Sequence, residues 1–437
     1  MSMPRDRAGL KCYCEPLSAL THCLGTTLLR YEYEATEPAL NRPDPASCEP
    51  VLPQAKEPSA LATFALEGPR GALRASGRRA VLQPGPLATL ADRVAAFFAA
   101  NSSARDSLLV GALPFDPQAQ DYFYEPSQWS REGLNGPSGA AVRMRGLSLV
   151  ANPDRPAYQD LVARLLERIA AISADGRKLE KVVLSRSLSI ETGAVIDPLG
   201  LYARLGGDPD VTRFLTPLPE AATGLPRHLV GATPELLVAR RGVEVTSFPL
   251  AGSRPRALEN GGELLMASDK ERWEHRLVVE AIADALAPHC AELSVPEVPQ
   301  LCTTRTMWHL GTRITGQLAK PEEMSSAALA ALLHPTPAVG GTPTNAALAL
   351  IREFEPVDRG FYAGAIGWMD AAGDGDFYVS LRCADVSGAS ARIHAGGGIV
   401  PGSDPASEVE ETSAKFRAIL DALGIDEGGN VRREPSG

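Results

Sequence analysis

Four glutamates stand in two matching pairs, Glu271 with Glu274 and Glu408 with Glu411. Residues three apart on a helix share a face, so each pair can aim two carboxylates at one point. Such a group of oxygen donors suits a hard cation such as Mg2+, which keeps several of its waters. Solvated helix faces carry the same spacing, because Glu is common at exposed positions. Lys181 opens an otherwise apolar run, KVVLSR, and Glu235 follows a Thr-Pro corner in GATPELLV. Removed from water, a lysine becomes a usable base and a glutamic acid a proton donor, since desolvation disfavours both charged forms. Either head group could instead reach water at a strand end. The glycines of HAGGGIVPG at 394–402 read as a turn able to point backbone N–H groups at an anion, and they do not follow the phosphate-loop pattern.

These groups need elements to hold them. The spacing of Leu161, Leu165, Leu166, Ile169 and Ile172 predicts a helix over 156–175 that ends at Asp175-Gly176. KVVLSR and the following SLSI have the branched side chains of strands. Further strands are expected at about 228–240 and 243–250, with Arg241-Gly242 as the hairpin turn between them. An apolar stripe of Leu277, Val278, Ala281, Ile282, Ala285 and Leu286 predicts an amphipathic helix over 264–287. FYAGAIGWMD and DFYVSLRCADV flank AAGDG as a long hairpin, which makes Asp370, Asp374 and Asp376 turn residues rather than calcium ligands. A last helix is expected over 405–423, with Asp404 as its cap and Pro405 at its first position. Upstream, LATFALEG and SLLVGALPF alternate as strands around a helical stretch at 86–101.

Composition limits the partners. A chain of 437 residues with net charge −10 has no basic footprint for nucleic acid, and no apolar run approaches a bilayer span. An anionic substrate therefore needs locally gathered positive charge, from a bound cation or placed Lys and Arg. Cys12, Cys14, Cys23 and Cys48 lie in a Pro- and Cys-rich first segment without zinc-hook spacing, while Cys290, Cys302 and Cys383 read as buried free thiols. The start lacks the layout of a signal peptide, so a cytoplasmic location is expected. The expected organisation is an irregular segment over 1–57, one catalytic domain over 58–424 and a flexible tail over 425–437.

In order, the chain carries KVVLSR (181–186), GATPELL (231–237), PLAGSRPR (249–256), SDKERWEH (268–275), MWHLGT (307–312), HPTPAVGGTP (334–343), FYAGAIGW (361–368), LRCA (381–384), AGGGIVPGSDP (395–405) and EVEETSAK (408–415). These ten blocks resemble the chorismate-utilising enzymes, which include isochorismate, salicylate, anthranilate and aminodeoxychorismate synthases. Gly397 departs from the pattern, since AGAGI is the more usual form there. The resemblance implies an α+β fold in which two large, mostly antiparallel sheets pack face to face with helices outside and the active site in the cleft between them. It implies that Lys181 activates water and Glu235 protonates the departing ring hydroxyl. It implies that Glu274 and Glu411 ligate Mg2+ while Glu271 and Glu408 hold its water shell. Arg382, Tyr362 and the backbone at Gly396, Gly397 and Gly398 match positions that hold the enolpyruvyl carboxylate, and Gly252, Ser253, His309, Ala338 and Lys415 match the rest of the pocket.

The activity that follows from the resemblance is isomerisation of chorismate to isochorismate, feeding siderophore or menaquinone synthesis. Relatives that add ammonia carry Gln where this chain has Lys181, and Ala338 stands where salicylate synthases carry Thr. Salicylate formation by further loss of pyruvate is the alternative within the family. A metabolite-binding protein without turnover is the alternative outside it, although such a protein has no use for Lys181, Glu235 and all four carboxylates together. A monomer without nucleic-acid or membrane partners is expected.

Overall fold

The computed structural model describes residues 63–101, 107–134, 146–176 and 178–430. The cysteine-rich first segment, with Cys12, Cys14, Cys23 and Cys48, lies outside them. All described residues belong to one compact unit, Lys56–Gly437. Among them are a ten-stranded and a nine-stranded sheet, plus a three-stranded one, and the paired strands run antiparallel.

Alternation along the strands explains why two sheets stack. In the ten-stranded sheet Phe64, Leu66, Phe214 and Leu229 join the core shared with Leu109, Val238 and Phe377 of the nine-stranded sheet. Their neighbours Ala65, Leu215 and Val230 turn the other way, onto Leu201, Phe416 and Ile419 of two covering helices, Pro198–Arg204 and Pro405–Leu423. A strand period of two thus gives this sheet two buried faces, which accounts for its near-continuous apolar runs. The expected α+β architecture of packed antiparallel sheets with outer helices is the one observed.

Several expected elements divide where the chain changes layer. The run at 228–240 is two strands, Arg227–Thr233 in the ten-stranded sheet and Leu236–Arg241 in the nine-stranded one, so Pro234-Glu235 is a crossing. The run at 243–250 likewise splits into Glu244–Phe248 and Leu250–Pro255. DFYVSLRCADV crosses back: Gly375–Val379 lies in the nine-stranded sheet, Cys383–Ser387 in the ten-stranded one, with Arg382 at the corner. Proline and a residue in left-handed backbone are compatible with such corners, and apolar periodicity alone does not register them.

The helix expected over 264–287 breaks at Ser268, whose side chain caps the second piece by accepting from the Glu271 N–H. The final helix, Pro405–Leu423, begins as expected with Asp404 accepting from the Ser407 N–H. Each cap is worth about 1 kcal/mol. The glycines 396–398 are not in a turn. They belong to the strand Ser390–Ile399, where Gly396, Gly397 and Gly398 pair with Ser185, Leu184 and Val183.

Three smaller expectations also change. Only Cys383 of the three expected buried thiols is buried; Cys290 and Cys302 are partly exposed. Asp370 does cap its turn, accepting from the Ala372 and Asp374 N–H groups, but Asp376 is a buried strand residue that meets Arg70 and Arg241. At the other end Ile425 is fully buried and Glu427 accepts from Arg186, so 425–427 pack against the body of the domain, while Gly428 and Asn430 are exposed.

Candidate active site

Two helices present their N-terminal turns to one place. Glu271 and Glu274 sit in the first two turns of Asp269–Leu286, and Glu408 and Glu411 in those of Pro405–Leu423. A helix N-terminus favours negative charge, which eases the concentration of four carboxylates. Between them runs the strand Leu250–Pro255, and Ser253 ties the two helices together. Its N–H donates to Glu271 Oε2 at 3.2 Å and its hydroxyl to Glu411 Oε1 at 2.7 Å. Gly252 has φ +75°, and a Cβ there would meet the Glu271 carbonyl oxygen at 3.1 Å, so both backbone and space call for glycine.

Gly252, Ser253, Glu274 and Glu411 border a cleft. Of the residues singled out from sequence, Glu235, Gly252, Ser253, Glu274, His309 and Ala338 line it. So do Tyr362, Arg382, Gly396, Gly398, Glu411 and Lys415. Lys181, Glu271, Gly397 and Glu408 do not line it. Strand alternation accounts for Gly397: a Cβ there would lie 2.6 Å from Glu408 Oε2, away from the cleft, whereas one at Gly398 would lie 2.1 Å from Glu274 Oε1. Lys181 is fully buried behind Glu274, with its Nζ 2.9 Å from Glu274 Oε1.

Glu235 is held by the crossing between sheets. Burial is the main influence on its carboxyl and raises its pKa to about 7, against the pull of Arg382 and Lys181. Near neutral pH its protonated form is therefore available. Arg382 sits opposite with φ 45°, a left-handed conformation that costs a non-glycine residue about 1–2 kcal/mol. Its guanidinium donates to His309 Nε2 at 3.1 Å, and since arginine only donates, His309 accepts there and is neutral. Burial, then Arg382 and Lys415, holds the His309 pKa well below its usual value, in agreement.

The carboxylates divide electrostatically. Burial first, then Glu274 and Glu411, raises Glu271 to about 7; burial and Glu411 raise Glu408 to about 7. Burial opposes charge on Glu411 too, but Lys415 at 2.6 Å and the Ser253 hydroxyl bring its pKa below the usual range. Glu408 Oε2 is buried without a hydrogen-bond partner. Mutual repulsion and an orphaned oxygen are features a cation would relieve, so the donor set fits a hard divalent ion. The four side chains are not drawn to one point: among the described residues no three acidic, His or Cys side chains form a ready-made metal centre. Lys181, Lys270 and Lys415 instead take up the carboxylate oxygens.

Sequence reasoning missed two groups at this cleft, Arg359 and His394. Arg359 lines it, donates to the carbonyls of Val339 at 2.7 Å and Val183 at 2.8 Å, and pairs with buried Glu355. His394 stacks on Tyr362 with ring centroids 5.1 Å apart. The Glu355–Arg359 spacing of four was visible in the sequence, but nothing local marks that pair as buried.

A family model described as "Chorismate binding enzyme" matches residues 135–424. The chain belongs to the chorismate-binding enzyme family. Within this family it is 41% identical to the isochorismate synthase DhbC of Bacillus subtilis over 356 residues, 77% of this chain and 86% of that protein. It is 38% identical to the isochorismate synthase EntC of Escherichia coli over 333 residues, 74% and 82% of the two chains. A crystal structure of the DhbC protein from Bacillus anthracis matches with TM-score 0.77 at 36% identity, covering 85% of this chain and 98% of that one. The family match spans the cleft and both carboxylate helices. No helix among the described residues is long and apolar enough to cross a membrane.

Proposed function

We propose that this chain is an isochorismate synthase, converting chorismate to isochorismate with Mg2+. The observation that carries the reading is the meeting, at one cleft, of an acid poised near neutrality, Glu235, with Glu274, behind which Lys181 is buried and ion-paired. Lys181 takes a proton from water, whose oxygen bonds to the ring as the double bonds shift. The ring hydroxyl departs as water with the proton from Glu235, so the two waters balance. A proton donor of pKa near 7 matches this work at neutral pH. Arg382, set by His309, and Tyr362, set by stacking on His394, would hold the enolpyruvyl carboxylate beside Gly396 and Gly398.

Glu274 and Glu411 would ligate the cation, with Glu271 and Glu408 holding its water shell. When bound, Mg2+ supplies the positive charge that fixes the ring carboxylate of the substrate. Ala338 leaves the wall near Val339 and Tyr362 small, an arrangement we read as retaining pyruvate on the product. In this proposal the protein acts as a cytoplasmic monomer whose product feeds siderophore or menaquinone synthesis.

Incubation of the purified chain with chorismate and Mg2+, followed by chromatographic separation, tests the reading. Isochorismate is the expected main product. Salicylate from the first turnovers would select the pyruvate-eliminating reaction instead, and no turnover would select a binding protein.

A further inference from the structure

Three lysines face the four carboxylates, and they differ in their freedom to leave. Lys181 is sealed in the core against Glu274. Lys415 is held twice, by Glu411 Oε1 at 2.6 Å and by the Gly396 carbonyl oxygen at 2.9 Å. Lys270 is different: its side chain keeps 32% of its exposure. Its Nζ donates to Glu408 Oε1 at 3.0 Å and lies 3.6 Å from Glu271 Oε1. It therefore joins a carboxylate of its own helix to one of the other helix. No further side-chain partner holds it among the described contacts.

An ammonium group only donates, so it cannot take a place among the ligands of a metal ion, and its positive charge repels a cation bound to the same carboxylates. It also supplies one charge where two acids meet, and Glu408 Oε2 is left without a partner. A hydrated dication brings two charges and several donor waters to the same oxygens. Lysine's long stem, anchored at the second residue of the helix, lets the head swing into water without moving the backbone.

We propose that Lys270 is an internal counter-cation of the Glu271 and Glu408 carboxylates, displaced into solvent when a divalent cation binds, and that it thereby sets the affinity of the site for the metal. The proposal rests on the reading of these carboxylates as the Mg2+ site. Occupancy by the lysine removes part of the population from the binding-competent state, and apparent affinity falls in proportion. The site thus releases its cation more readily than four carboxylates alone would.

The test uses the full chain, freed of metal, with Mg2+ added as MgCl2. Calorimetric titration compares the wild type with Lys270→Gln and Lys270→Arg. Amine acylation read at Lys270 by peptide mass spectrometry compares the wild type with and without Mg2+. Lys270→Gln is expected to bind Mg2+ at least about fivefold more tightly than wild type, Lys270→Arg to stay within about twofold, and Mg2+ to raise Lys270 acylation at least about threefold. Equal or weaker binding by Lys270→Gln, or acylation that Mg2+ leaves unchanged or lowers, overturns the proposal. If Lys270→Gln does not fold, the acylation of the wild type decides alone. Absence of Mg2+ binding to the wild type would remove the metal reading itself, a result separate from wild-type binding that leaves Lys270 covered.

Discussion

Lys181 Nζ lies 2.9 Å from Glu274 Oε1, so the proposed base and a proposed metal ligand are joined by an ion pair in the wall of the cleft. A lysine engaged by a carboxylate has no lone pair to offer a water proton. The two roles are therefore linked: Glu274 must turn toward the cation for Lys181 to act.

Lys181→Ala and Glu235→Gln are each expected to lower turnover by about two orders of magnitude or more, the scale of a lost base or acid. Steady-state kinetics with circular dichroism to confirm the fold would measure this. Near-normal turnover in a folded variant removes that residue from the chemistry.

Glu274→Ala leaves the buried Lys181 ammonium without its counter-charge. Removing one member of a buried pair destabilises by about 3–5 kcal/mol, and because Glu274 faces the cleft the lower figure is expected. Denaturant midpoints at constant m give the value. A loss under about 1 kcal/mol would mean that water reaches the pair and screens it.

Activity is expected to require Mg2+, to vanish in EDTA, and to return poorly in Glu274→Ala or Glu411→Ala at excess metal. Full activity in EDTA would remove the four carboxylates from any metal role.

The raised pKa of Glu235 predicts a pH profile. As a proton donor it works in its protonated form, which is present below about 7 and lost above it, so kcat/KM should fall with rising pH on a one-proton limb near neutrality. The same shift has a consequence for stability. A folded-state pKa above the unfolded one gives a contribution fully present below the unfolded value, near 4.5, and lost as pH rises through about 7. Stability of Glu235→Gln should lack this part of the dependence; equal slopes for the two proteins between pH 5 and 8 would contradict the assignment.

Gly398→Ala would place a Cβ 2.1 Å from Glu274 Oε1 and 2.8 Å from the Lys181 side chain. Activity is expected to fall at least about tenfold, because displacement of about an ångström at reacting groups is that costly. Wild-type turnover in Gly398→Ala would show that Glu274 moves aside freely.

The parts of the site legible in the sequence are those set by local geometry. Glu271 with Glu274 and Glu408 with Glu411 could be paired because a helical turn brings residues three apart together, and Asp404-Pro405 marks a helix start by itself. What failed depends on the partner layer. GATPELLVARR reads as one apolar run, and only the second sheet shows that Pro234-Glu235 leaves the first. The triple glycine reads as a turn, but Lys181–Glu191 pairs with it along its length and makes it a strand. Arg359 and Glu355 escape because a buried ion pair looks, in sequence, like any surface pair four apart. Lys181 was legible as a residue bordering the core, but not as one walled off from the cleft by Glu274.

The two crossings between sheets lie side by side and are stitched to each other. The Ala232 N–H donates to the Arg382 carbonyl at 3.1 Å, and the Val379 N–H to the Glu235 carbonyl at 3.1 Å. The chain thus passes between layers twice along one line, with two hydrogen bonds closing a small loop of backbone around it. Such a line is a seam that fastens one layer to the other at the point where Glu235 and Arg382 sit. Amide exchange at Ala232 and Val379 should accordingly be slow, because both N–H groups are held in that seam.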